Sequence, residues 1–78
     1  MITVNFYAAA KASVGTSTLY VESNSIKNII NKLSLDYPKI VKIIPSCTFI
    51  LDGLATQDLE QFINEGSNLD ILPKFAGG

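Results

Sequence analysis

Apolar residues recur at helical spacing once in this chain, at Ile26, Ile29, Ile30, Leu33 and Tyr37, with alternating stretches on either side. The spacing i, i+3, i+4, i+7, i+11 marks one stripe of an amphipathic helix, with Lys27, Asn28, Asn31 and Lys32 on the solvated side. Ser25 is placed to cap it, because its side-chain oxygen can accept from an orphan N–H one turn on. Pro38 disfavours helical geometry at Tyr37, so the helix is expected to end by about Asp36. Before the stripe, Ile2, Val4 and Phe6 alternate with polar residues, and so do Leu19 and Val21, the pattern of half-buried strands. Residues 8–15 lose the period, Gly15-Thr16-Ser17 reads as a turn, and the two strands are expected to form an antiparallel hairpin.

After the helix, residues 39–46 form a connector, with room for another helical turn, closed by Pro45. Cys47 to Gly53 is a third strand ended by a turn, with Phe49 and Leu51 inward and Thr48, Ile50 and Asp52 outward. Leu59, Phe62 and Ile63 are available for burial in the mixed stretch that follows. Leu69 to Leu72 is the last strand, Leu69 and Ile71 inward, and pairing is expected to stop at Pro73, which has no N–H to donate. The order ββαββ favours an α+β domain with a mixed sheet and one main helix packed on one face. The first and last strands are expected to lie parallel and adjacent at the centre. Residues 1–73 are read as the domain and residues 74–78 as a flexible diglycine tail.

With 78 residues, of which 47% are hydrophobic and 17% charged, the chain can form one small core and leaves little room for an internal active site. The six basic residues are all lysines, set against seven Asp and Glu, with no histidine and a net charge of −1. Nucleic-acid binding, which needs a clustered basic surface, is disfavoured, and no run approaches the roughly 20 apolar residues of a membrane span. A single cysteine, Cys47, excludes an internal disulfide framework and fits a reducing compartment, here taken as the cytoplasm. One Cys, no His and scattered carboxylates give zinc no ligand set. Without a histidine base, Cys47 is read as a small buried or edge residue rather than a nucleophile. Asp52 beside Gly53 serves a turn, and Asp58, Glu60 and Glu65 are solvated surface.

The tail carries the functional signal. A final strand, a proline and then Lys74-Phe75-Ala76-Gly77-Gly78 place a carboxylate on a slender tether, and glycines lacking Cβ atoms can thread a channel closed to side chains. Outward Ile50 and Leu72, joined by Phe75, form a candidate docking surface that holds partners while the tail is threaded, and Tyr7 and Tyr20 are positioned to join them.

The ββαββ order, the size and the ending Ile71-Leu72-Pro73-Lys74-Phe75-Ala76-Gly77-Gly78 resemble the ubiquitin-like sulfur carriers (the MoaD/ThiS family). The resemblance covers essentially the whole chain and is nearer to the small subunit of molybdopterin synthase than to the thiamin carrier. Asn64-Glu65-Gly66-Ser67-Asn68 is similar to a family turn rich in Asp and Gly; Ser67 stands where an acidic residue is common, and Lys74 follows Pro73 where a second proline often stands. The resemblance implies a ubiquitin-like β-grasp fold and a protein whose reactive group is the carboxylate of Gly78, with Gly77 and Ala76 threading the tail. An adenylyltransferase of the ubiquitin-activating type (MoeB/ThiF-like) would use ATP to adenylate that carboxylate, and a sulfur donor would convert it to a thiocarboxylate. The sulfur would pass to a substrate held by the molybdopterin synthase large subunit (MoaE-like). The chain itself would bind no cofactor or metal and catalyse nothing. A ubiquitin-like modifier conjugated to lysines, a carrier for thiamin thiazole synthesis and a plain binding domain with an inert terminus are the other readings open at this point.

Overall fold

In the computed structural model, which describes residues 1–74, the N-terminal alternation forms strand β1 (Ile2–Phe6), with Ile2, Val4 and Phe6 buried. It pairs antiparallel with β2 (Thr18–Val21), as expected, Val4 opposite Leu19. The connection is not a plain hairpin loop: Ala8–Val14 is a seven-residue helix, α1. Four alanines and a lysine within five residues give this run high intrinsic helicity. Ala10 and Val14 are its buried residues, too small and too few to write a clear apolar period. Gly15, in the left-handed region at φ 89°, ends the helix by donating its N–H to the Lys11 carbonyl at 2.8 Å.

Helix α2 (Ile26–Asp36) follows the predicted stripe, with Ile26, Ile29, Ile30 and Leu33 buried. The Asn28 N–H donates to Ser25 Oγ at 3.1 Å, the predicted cap. Isoleucine is only a middling helix former, so burial of this face does most of the stabilising. The connector contains two short 3-10 segments, Pro38–Lys42 and Ile44–Ser46, each with a proline among its first two residues, and the first buries Ile40 completely.

Strand β3 (Cys47–Leu51) buries Phe49 and turns back into a strand absent from the expected order, β4 (Leu54–Thr56). Asp52 (φ 48°) and Gly53 (φ 86°) are both left-handed, the geometry of a two-residue type I′ hairpin turn. Leu54-Ala55-Thr56 is too short to show a period of its own. In the following stretch Ile63 is fully buried and Leu59 packs against the core, but Phe62 is 58% exposed. A bridge between Phe62 and Ser25, with the Ile63 N–H on the Asn24 carbonyl at 2.9 Å, holds this backbone extended. Successive side chains then point opposite ways, and Ile63 takes the core position.

Strand β5 (Asn68–Pro73) lies at the middle of the five-stranded sheet, whose order is β2-β1-β5-β3-β4. It runs parallel to β1, Ile71 opposite Phe6, and antiparallel to β3, Ile71 opposite Phe49. The first and last strands are therefore parallel neighbours, as expected. The fold is α+β with a mixed sheet, the β-grasp arrangement, and its element order is βαβαβββ rather than ββαββ. One buried cluster joins residues of both helices, the first 3-10 segment, Ile63 and the inward faces of β1, β3 and β5.

The turn at the start of β5 is tied by Asp52, whose carboxylate accepts the Asn68 N–H at 2.8 Å while its own N–H donates to the Asn68 carbonyl at 2.9 Å. The Asn68 backbone hydrogen bond, with a further one from the Ser67 side chain, holds the Asp52 carboxyl below its ordinary value of 3.8, against a small opposing effect of desolvation. A carboxyl depressed by folding contributes stability that is full above the unfolded pKa and is lost as pH falls through the folded one. Urea unfolding of Asp52→Asn is therefore expected to show a shallower fall in stability than the parent below about pH 4. Identical acid dependence in the two proteins would remove this role from Asp52.

Candidate functional site

The strand that leads to the tail is the best-anchored in the sheet. Ile71 and Pro73 are buried, Pro73 is in register with Cys47, and the Lys74 N–H donates to the Ser46 carbonyl at 2.8 Å. Backbone pairing thus continues one residue beyond the expected stop, because proline removes only its own donor. Gly78, Gly77, Ala76 and Phe75, the carrier, threading and docking residues of the sequence reading, lie outside the described residues.

The face of the sheet away from the helices carries the other expected positions. Strand alternation puts Thr3, Asn5, Thr18, Tyr20, Thr48, Ile50, Asp70 and Leu72 there. Thr18 Oγ1 donates to Asn5 Oδ1 at 3.0 Å, and Asn5 Nδ2 donates to Asp70 Oδ1 at 3.0 Å, a polar ladder across three strands. Asp70 is in register with Ile50, and Leu72 with Thr48. Ile50 is half-buried and Leu72 is 36% exposed. The two share a face as diagonal neighbours on β3 and β5, with Asp70 and Thr48 on the other diagonal, so the described part of this surface mixes apolar and polar groups. Tyr20 is 68% exposed on the outer strand, and Tyr7 is exposed just past β1. Asp70 and Asn5 were not singled out in the sequence, although the alternation that sends Leu72 outward sends Asp70 outward as well.

Nothing else in the described residues assembles a reactive centre. Burial pushes the Cys47 thiol above its ordinary value, and its Sγ donates to the Ile43 carbonyl at 3.3 Å. It is therefore protonated at neutral pH and half-buried beside the core, in an inner strand rather than at a sheet edge. Glu60 pairs with Lys27 at 3.5 Å on the surface, Asp58 accepts the Glu60 N–H at 3.2 Å, and Glu65 pairs with the Met1 ammonium and accepts from Ser23. Each carboxylate has a local structural partner. No three Cys, Asp or Glu side chains among the described residues gather as a metal site, and no helix there is long and apolar enough to cross a membrane. The arrangement thus offers a compact body, a mixed outer face and a strand β5 held at the centre of the sheet.

No protein-family model and no curated protein matches the sequence. Solved structures do match. The chain is similar to small archaeal modifier protein 1 from Methanosarcina acetivorans, with a TM-score of 0.85, 19% identity and coverage of 99% of this chain and 95% of that one. It is similar to a chain of the Amycolatopsis orientalis BexX/CysO complex, with a TM-score of 0.82 and 18% identity over 100% of both chains. A chain of the complex of subunits 1 and 2 of molybdopterin-converting factor from Helicobacter pylori 26695 matches with a TM-score of 0.74 and 17% identity, over 99% of this chain and 97% of that one. At these identities the shared property is the fold, and it is shared over the whole length of the domain.

Proposed function

We propose that the chain is a sulfur carrier whose C-terminal Gly78 is converted to a thiocarboxylate, serving as the small subunit of a molybdopterin synthase. The observation that carries this reading is the central, doubly paired β5, which leads straight into Lys74-Phe75-Ala76-Gly77-Gly78 on a fold shared with a chain of molybdopterin-converting factor. A terminal carboxylate, with an ordinary pKa of about 3.5, is ionised at neutral pH and is a poor electrophile. An adenylyltransferase of the ubiquitin-activating type corrects this: a Gly78 carboxylate oxygen attacks the α-phosphorus of ATP, pyrophosphate leaves, and an acyl-adenylate forms. Hydrosulfide then attacks the carbonyl carbon, the bond to AMP breaks with its electron pair, and the thiocarboxylate remains. The partner holding the acceptor is the synthase's large subunit, where the sulfur is handed over and water's oxygen restores the carboxylate. Gly77 and Ala76 let the tail enter these clefts, and Ile50, Leu72 and Phe75 dock the body beside them. ATP belongs to the activating enzyme, and the carrier catalyses nothing.

Intact-mass measurement tests this with the chain, an adenylyltransferase of this type from the same organism, ATP and sodium sulfide. An oxygen-for-sulfur exchange is expected only with all components present, and an unchanged mass would overturn the carrier role. The Ile50→Asp, Phe75→Asp double variant is expected to react at least about tenfold more slowly, equivalent to roughly 1.4 kcal/mol of lost docking energy. An unslowed, folded variant would remove the docking role alone. Lysine conjugation is the second reading, favoured by the similarity to small archaeal modifier protein 1. It requires high-mass conjugates of tagged protein in cells, which a pure carrier does not form.

A further inference from the structure

The net charge of −1 conceals a polarity along the sheet. Lys74 closes β5, and its N–H bonds to Ser46 at the end of the second 3-10 segment. Lys39 and Lys42 lie on the first 3-10 segment, and Lys11 lies on α1, which packs against both that segment and β5. Four of the six lysines are thus gathered by the topology around the end of the sheet from which the tail departs. All four are exposed, and the ion pairs among the described residues involve other groups, Lys27 with Glu60 and the Met1 ammonium with Glu65. The carboxylate nearest in sequence to this group is Asp36, the last residue of α2. Glu22, Asp52 and Glu65 sit at the opposite end, beside Val21, Asn68 and Met1.

We infer that these lysines form a cationic collar that docks on an acidic rim around the partner cleft receiving the tail, an inference that rests on the carrier reading. The length of the tether makes this contact unavoidable. Four residues follow Lys74, and at 3.3–3.6 Å per residue they reach about 14 Å at most. Whenever Gly78 lies at the reacting atoms, the Lys74 backbone is therefore held within about 14 Å of them. The surface around the cleft mouth then meets Lys74 first, together with the packed elements that carry Lys39, Lys42 and Lys11. A carboxylate-ended tail approaching an acidic rim alone would be repelled; the collar reverses the sign of that encounter and speeds association. Lysine suits the task, being a point charge on a flexible stem that can meet rims of different shape, first on the activating enzyme and then on the sulfur-accepting one.

The test is the association rate of the full-length chain with the same-organism adenylyltransferase, by stopped flow at about 25 and about 300 mM salt, with sulfur acquisition followed by intact mass. The parent is expected to slow by about tenfold or more between the two salts, and the K39E/K42E/K74E variant to associate about tenfold more slowly at low salt with a nearly flat salt response. Lys32→Glu, on α2 away from the collar, is expected to behave as the parent. Thermal midpoints check that every variant is folded. A triple variant as fast and as salt-sensitive as a sulfur-acquiring parent overturns the collar and leaves the carrier reading intact. A parent that acquires no sulfur overturns both. Binding of the parent to single-stranded RNA at about 150 mM salt, abolished in the triple variant, would reassign the collar to nucleic acid and overturn the acidic-rim assignment.

Discussion

Deletion of Gly78 is expected to abolish thiocarboxylate formation, by more than about 100-fold, while leaving the urea midpoint unchanged. The loss follows from position rather than from contacts within the domain. Adenylation requires the attacking oxygen within about 3–3.5 Å of the α-phosphorus, and displacement of about 1 Å can cost 100-fold. Removing one residue withdraws the carboxylate by up to about 3.5 Å and leaves Gly77 at the end of a shorter tether. In the proposed docking the bulk of the body cannot follow, because the collar and outer sheet face meet the partner first. Stability is expected to stay constant because the described core closes at Pro73, with Lys74 hydrogen-bonded to Ser46. Intact mass and equilibrium unfolding measured on the same samples separate the two effects. Sulfur acquisition at the parental rate by the shortened chain would end the proposed mechanism.

Replacing Ile71 by alanine is expected to cost about 2–5 kcal/mol, the range for removing a buried branched side chain. Ile71 is fully buried, opposite Phe6 on one side and Phe49 on the other, so a cavity there borders both neighbouring strands. For a chain of 78 residues, total stability at about 0.05–0.15 kcal/mol per residue is roughly 4–12 kcal/mol. The variant would therefore lose a large share of its stability and populate unfolded chains at moderate urea. Leu72→Ala, one residue on but facing outward, is expected to cost less than about 1 kcal/mol, because its side chain already meets water. Similar costs at 71 and 72 would contradict the assignment of faces in β5.

The same contrast explains which parts of the fold could be read in the sequence. Helix α2 was legible end to end, because its apolar stripe, its serine cap and its proline stop agree. The inward faces of β1, β3 and β5 followed from alternation, and the antiparallel β1–β2 pair and the parallel β1–β5 neighbours from the order of elements. Helix α1 was not legible: alanine gives high helical propensity but little hydrophobic contrast, and a periodicity test does not register it. Strand β4 escaped for lack of length, although Asp52-Gly53 announces the turn that makes it. Phe62 shows the limit of hydrophobicity as a guide, since an extended backbone can seat only one of two adjacent apolar side chains in the core. For the candidate site, Ile50 and Leu72 fall on the expected outer face, whereas the placing of Asp70 beside them and the clustering of lysines depend on which segments the topology brings together. Lys11, Lys39, Lys42 and Lys74 are spread over most of the chain, and no local pattern links them.

The placement of β5 has a consequence for biosynthesis. The ribosome makes this strand after every other element of the domain, yet β1 and β3 each pair with it on one side and meet nowhere else in the sheet. Without it the nascent chain has two separate hairpins and no keystone between them. Such long-range closure is late and cooperative. A product stopped before or within β5 would then be a proteolysis substrate rather than a folded domain, so folding itself checks translation as far as Pro73.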